Sequence, residues 1–205
     1  MTRTLLPREH GAYVQLALPL VTALAMGRPG GAAVAFTGLA IAAFLLHQPI
    51  LLLATRQEGR ARDLARGARR LERSLAGEIV LAAVLAGLAV PVAIAGGVST
   101  EIAGWTWAAW AIGFAAVTCA VHGAVLRRKQ RDPVRALVAA TAATLVAIAL
   151  ASTRPDPLAA GLPLVAAAVV LIALAPEPRR VRVVGWTLMV ASAATGVWLV
   201  ALRVA

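Results

Sequence analysis

Long runs of Ala, Leu, Val and Ile, interrupted by short polar stretches, set the pattern of this chain. The hydrocarbon core of a bilayer is about 30 Å thick, and a helix crossing it needs about 20 predominantly apolar residues. Seven runs approach that length: 11–26, 31–54, 77–97, 103–126, 135–152, 158–176 and 183–203. The pattern predicts an all-α, polytopic transmembrane bundle of about seven spans, forming one integral membrane domain over residues 1–205. The connections carry breakers. Gly27-Arg28-Pro29-Gly30 predicts a tight turn, and Gly96-Gly97-Val98-Ser99-Thr100 separates spans three and four. Arg154-Pro155-Asp156-Pro157 separates five and six. Pro176-Glu177-Pro178 ends span six, because proline cannot continue a helix beyond its first turn.

The polar stretches differ sharply in charge. Two arginines precede span one, seven lie in 56–73, and three lie in 179–182; five Lys/Arg lie in 127–135. The alternate connections and the C-terminus hold Arg28, Arg154 and Arg203. Cationic side chains collect in cytoplasmic loops, so this asymmetry predicts a cytoplasmic N-terminus, an external C-terminus and an odd number of spans. This orientation predicts a multi-pass membrane protein with its basic loops in the cytoplasm.

Composition changes the picture in a few places. The chain is 60% hydrophobic and 14% charged. A soluble domain carries about 25% charged residues. The net charge of +11 does not point to nucleic acid, because the charge sits in the loops of a membrane protein. The single cysteine, Cys119, excludes an intramolecular disulfide and a cysteine metal cluster, and reads as a small packing residue. Residues 1–26 mimic a signal peptide, but Pro7-Arg8-Glu9-His10 is a poor entry to its apolar region and six more apolar runs follow. Trp105, Trp107 and Trp110 open span four at the external side, the position of an interfacial belt; Trp186 and Trp198 read as anchors near the ends of span seven. Abundant Ala and Gly predict closely packed helices.

Ionisable residues near or within spans are costly and are functional candidates. Glu9 and His10 open span one, His47 lies in span two, Glu78 opens span three and His122 lies in span four. On the predicted topology all five lie toward the cytoplasmic face. At about 1.5 Å per residue, His47 is about 12 Å and His122 about 8 Å from the basic loops. Three readings stand. Each residue serves its own helix end, with His47-Gln48-Pro49 satisfying backbone groups freed by the proline and both glutamates favouring positive helix ends. Alternatively the five line a pocket, as orienting or proton-transferring groups. Or they form a haem or metal site of a redox membrane subunit, with His47 and His122 as axial ligands and Glu9, His10 and Glu78 around iron.

The loop 56–73 adds a further possibility. Ala61, Leu64, Ala65, Ala68 and Leu71 recur at helical spacing, with arginines on the other faces. This predicts an amphipathic helix on the membrane surface. It reads either as a topology anchor facing lipid headgroups or as an arginine cluster gripping a phosphate or diphosphate head while the tail enters the bundle. Tyr13, Arg56, Arg60, Arg62 and Arg66 are the candidate substrate-binding residues on the second reading.

Pro7-Arg8-Glu9-His10-Gly11-Ala12-Tyr13 resembles the N-terminal signature of the YwiC-like family of bacterial membrane proteins: Pro, two variable residues, then His-Gly-Ala-Trp. Pro7, His10, Gly11 and Ala12 match, and Tyr13 replaces the tryptophan. Pro19 fits a proline that often follows in that helix. His47-Gln48-Pro49-Ile50-Leu51-Leu52-Leu53 is similar to the family's corresponding segment, and His122 to Pro133 resembles more loosely a later basic loop. The opening helix also looks distantly like that of UbiA-type prenyltransferases, which join an isoprenyl diphosphate to an acceptor. Those enzymes have nine spans and hold Mg²⁺ and diphosphate on two Asp-rich loops. This chain departs on both counts, offering Glu58 and Asp63 amid arginines and Asp132 in the fourth loop. The resemblance implies binding or processing of an isoprenoid- or quinone-type amphipathic substrate with an anionic head at the cytoplasmic face. Glu9, His10, His47, Glu78 and His122 would carry any chemistry, membrane lipid would be a partner, and a degenerate relative that binds an isoprenoid or lipid without turnover is equally admissible; a non-catalytic membrane accessory is a further alternative. The cofactor, the metal content, the oligomeric state and whether there is turnover stay open.

Overall fold

A computed structural model describes residues 10–56, 67, 74–129, 159–174 and 181–204. Among these residues the chain forms α-helices and no strand. They are α1 (His10–Met26), α2 (Gly31–Arg56), α3 (Leu75–Gly87), α4 (Ala89–Ala95), α5 (Thr100–Lys129), α6 (Leu162–Leu174) and α7 (Val181–Val204). Three stretches are long and apolar enough to cross a membrane: Leu75–Ala95, Thr100–His122 and Arg182–Leu202. Ala12–Met26, Gly31–His47 and Leu162–Leu174 are shorter apolar helices. The run 135–152 and the amphipathic stretch 61–71, Gly67 apart, lie outside the described residues.

The breakers at 27–30 and 96–100 act where the sequence places them, while 154–157 and 176–178 lie outside the described residues. Gly97 takes a positive φ (φ 84). That is a left-handed conformation which a Cβ disfavours. Ser99 caps α5, its Oγ accepting the Ile102 N–H at 3.4 Å. The turns 27–30 and 96–99 meet: the Arg28 N–H donates to the Gly96 carbonyl at 2.7 Å. A Cβ on Gly27 would stand 2.9 Å from the Gly96 oxygen, so glycine permits the contact. At the start of α3, Ser74 Oγ accepts the Gly77 N–H at 3.1 Å. Glu78 sits in the same first turn, where a carboxylate complements the helix dipole.

Span three is interrupted where the sequence reading has one continuous helix. α3 and α4 are separated at Leu88. Pro91 explains the break: it has no N–H for the Gly87 carbonyl four residues earlier, and its ring crowds that carbonyl. Beside the break, the Trp107 indole N–H donates to the Ala83 carbonyl at 2.9 Å.

Helix α5 is central. It packs on α3 and α6, while α1 packs on α7, α4 and α3. Small residues set these distances, as expected where lipid tails supply no hydrophobic drive between helices. A Cβ on Gly113 of α5 would lie 2.6 Å from Leu164 Cδ1 of α6. The core joins Leu16, Leu20, Leu85, Val92, Phe114, Leu164 and Leu199 with many buried alanines. Large apolar residues face outward on α2 (Val34, Leu39, Leu46, Ile50) and on α7 (Val183, Trp186, Val190, Val197). In water such faces would be anomalous; against lipid tails they are the ordinary outer surface.

One aromatic assignment is overturned. Trp110 is 0% exposed and stacks on Phe114, with ring centroids 5.2 Å apart and planes at 28°. It is therefore a core residue and not part of an interfacial belt. Trp107, at 42% exposure, faces outward, as do Trp186 and Trp198. Residues 105, 107 and 110 leave a helix in different directions, and packing against α6 and α7 decides which is swallowed.

Candidate functional site

The two touching turns define one end of the bundle. Helices α1, α2, α3 and α5 each have their other terminus at the opposite end. His10 opens α1 there, Arg56 closes α2, Glu78 lies in the first turn of α3, and His122 lies two turns from the end of α5. The last turn of α5 carries Arg127, Arg128 and Lys129, so this is the basic end.

Two contacts are formed there. The Glu78 carboxylate and His122 Nδ1 approach to 3.4 Å across α3 and α5. Their side chains are 43% and 26% exposed, so the pair is open on one side. With Nδ1 turned to the carboxylate, Nε2 is the nitrogen left for a ligand. Such a pair can orient an imidazole and pass a proton. The second contact is aromatic. Tyr13 of α1 meets Phe44 of α2 edge-on, with centroids 5.2 Å apart. His47, half-buried, lies three residues beyond Phe44 on the same helix. α1 packs on α3, which brings the two contacts onto neighbouring helices.

Of the residues singled out in the sequence, the structure thus joins Glu78 with His122 directly, and brings Tyr13 onto Phe44, with His47 three residues further along α2. Glu9, Arg60, Arg62 and Arg66 lie outside the described residues. Among the described residues, no group of three His, Cys, Asp or Glu is placed to hold a metal ion.

A second polar layer was missed from the sequence. Thr22 of α1, Trp110 of α5, and Ser192 and Thr195 of α7 are all buried. The Thr22 hydroxyl donates to the Leu18 carbonyl at 2.8 Å. A Cβ on Gly196 would lie 3.0 Å from Thr22 Oγ1 and 3.7 Å from Trp110 Cζ2, so the three helices converge at that glycine. Trp110 Nε1 and Thr195 Oγ1 are buried without a hydrogen-bond partner. Each such orphan costs about 1–3 kcal/mol. Trp110 precedes His122 by twelve residues on α5, about 18 Å along the helix, so the layer is separate from the basic end. Hydroxyl groups inside apolar runs were the available signal.

A family model described as YwiC-like protein matches residues 6–151. No curated protein and no solved structure matches the chain. The matched segment takes in His10, Tyr13, His47, Glu78 and His122, and stops short of α6 and α7.

Proposed function

The chain belongs to the YwiC-like family, and on that premise we propose that it binds or processes an amphipathic isoprenoid- or quinone-type substrate with an anionic head. The observation that carries this reading is the half-exposed Glu78–His122 pair, which shares one end of the bundle with Tyr13, His47 and the lead-in to the arginine-rich stretch after Arg56. An anionic head at that end meets cationic side chains, while its tail runs between apolar helices. Arg56, Arg60, Arg62 and Arg66 are the proposed head-group contacts. His10, His47 and His122 orient the head or move a proton, with Glu9 and Glu78 as their carboxylate partners. If there is turnover, it is a prenyltransferase-like transfer without the usual Asp-rich motifs.

The proposal includes the topology: seven spans in a bacterial inner membrane, with the basic end and the N-terminus in the cytoplasm. The charge asymmetry of the loops supports this orientation. The test is mass spectrometry of small molecules retained by gently purified protein. The wild type is expected to retain a lipid with an anionic head, and a His10→Ala/His47→Ala variant that still folds is expected to lose it. Equal retention by both proteins, or no retained amphiphile, overturns the reading.

A further inference from the structure

We propose that Trp107 is a positioning residue for the Glu78–His122 pair. The proposal rests on the head-group reading for what the pair does, and adds how the pair is held. Trp107 faces outward from α5, yet its indole N–H turns back to the Ala83 carbonyl of α3 at 2.9 Å. A Cβ on Gly87 would stand 3.4 Å from Nε1, so the missing side chain there leaves the indole its place. An indole N–H only donates, and a carbonyl has two lone pairs, so Ala83 can take this donor beside its helical one. In an apolar setting an unmet N–H is costly, which holds the indole to that carbonyl.

Helix α3 is the element that needs such a fastening. Its buried residues are Gly77, Ala82, Leu85 and Ala86. Small residues let helices approach closely, but they give a smooth surface that resists rolling poorly. At its far end α3 is cut from α4 at Leu88, where Pro91 deprives the Gly87 carbonyl of its helical donor. Polar contacts are left to set the rotation of α3. Two of them reach α5, from Glu78 to His122 and from Ala83 to Trp107. Five residues separate Glu78 from Ala83, about 140° around the helix and about 7.5 Å along it. Contacts on different sides and at different levels fix a roll that neither fixes alone. A roll of about 20° would carry a carboxylate about 6 Å from the axis through about 2 Å. That is enough to open the 3.4 Å approach to His122.

The ring-nitrogen resonances of ¹⁵N-histidine-labelled full-length protein in detergent, at one fixed pH, test the proposal. His122→Gln assigns the His122 signals, and Glu78→Gln gives their position once the carboxylate is gone. Trp107→Phe keeps an aromatic ring and removes the N–H. It is expected to shift the His122 signals toward their Glu78→Gln position. Trp186→Phe, which alters an outward tryptophan of α7, is expected to leave them in place. His122 signals that stay at the wild-type position in folded Trp107→Phe overturn the proposal, as does an equal shift in Trp186→Phe. Should Trp107→Phe fail to fold, Gly87→Val decides, because its branched side chain takes the space beside Nε1 and opens the same bond. Unmoved His122 signals there overturn the proposal too. No amphiphile enters the measurement, so loss of the head-group reading leaves a shifted His122 standing. Conversely, an unmoved His122 leaves amphiphile retention untouched, and the two readings fail separately.

Discussion

The two polar regions of this bundle solve opposite problems. At the basic end, Glu78 and His122 carry formal or latent charge but keep access to the surroundings, at 43% and 26% exposure. In the deep layer, Trp110 and Thr195 are uncharged, fully enclosed and unpartnered. A charge is tolerated where water and headgroups can still reach it, whereas full enclosure admits only neutral groups. The first region can therefore exchange protons and ions, and the second can offer only directed hydrogen bonds. It follows that the deep layer should be the costlier one to disturb by truncation, and the basic end the cheaper.

Stability measurements can break that ordering. The largest effect is expected from Trp110→Ala, which removes a fully buried ring stacked on Phe114. Large-to-small core changes of this kind cost about 3–5 kcal/mol. Chemical unfolding in mixed detergent micelles measures it, and a loss below about 1 kcal/mol would return Trp110 to the surface. Gly113→Ala is next. The added methyl meets Leu164 at 2.6 Å. Overpacking of a tight helix contact costs about 1–3 kcal/mol. A neutral result in the same assay would mean that α5 and α6 separate freely. The smallest effect is expected from Glu78→Gln. A half-exposed pair is screened, so its loss changes stability by less than about 1 kcal/mol. A larger loss would show that the basic end is enclosed after all.

The sequence made the basic end legible because charge in a bilayer is expensive enough to dictate which side a loop occupies. Counting arginines put Glu78 and His122 at one level, and the structure brings them to 3.4 Å. The deep layer was hidden for a geometric reason. Thr22, Trp110 and Thr195 come from three helices far apart in sequence, and only the rotation of each helix about its axis brings them together. That rotation depends on which small residues let neighbours approach, as Gly113 does for Leu164 and Gly196 for Thr22. Three tryptophans near a span end carry the same composition whether one of them turns inward or not. The break at Leu88 was within reach, since Pro91 stands in the apolar run 77–97 and its missing N–H falls on Gly87. Membership of the YwiC-like family was legible from seven residues before α1 is well under way.

The hydrogen bond from Arg28 to Gly96 has a mechanical meaning. It fastens two hairpins at one point by their turns. A structure clasped at one end behaves as a pair of levers with the clasp as fulcrum. α1 is 17 residues long. That is about 25 Å from fulcrum to tip. A tilt of only about 5° then displaces the tip by about 2 Å, while the clasp hardly moves. The end bearing Tyr13, His47, Glu78 and His122 is thus where small rotations become openings wide enough to matter.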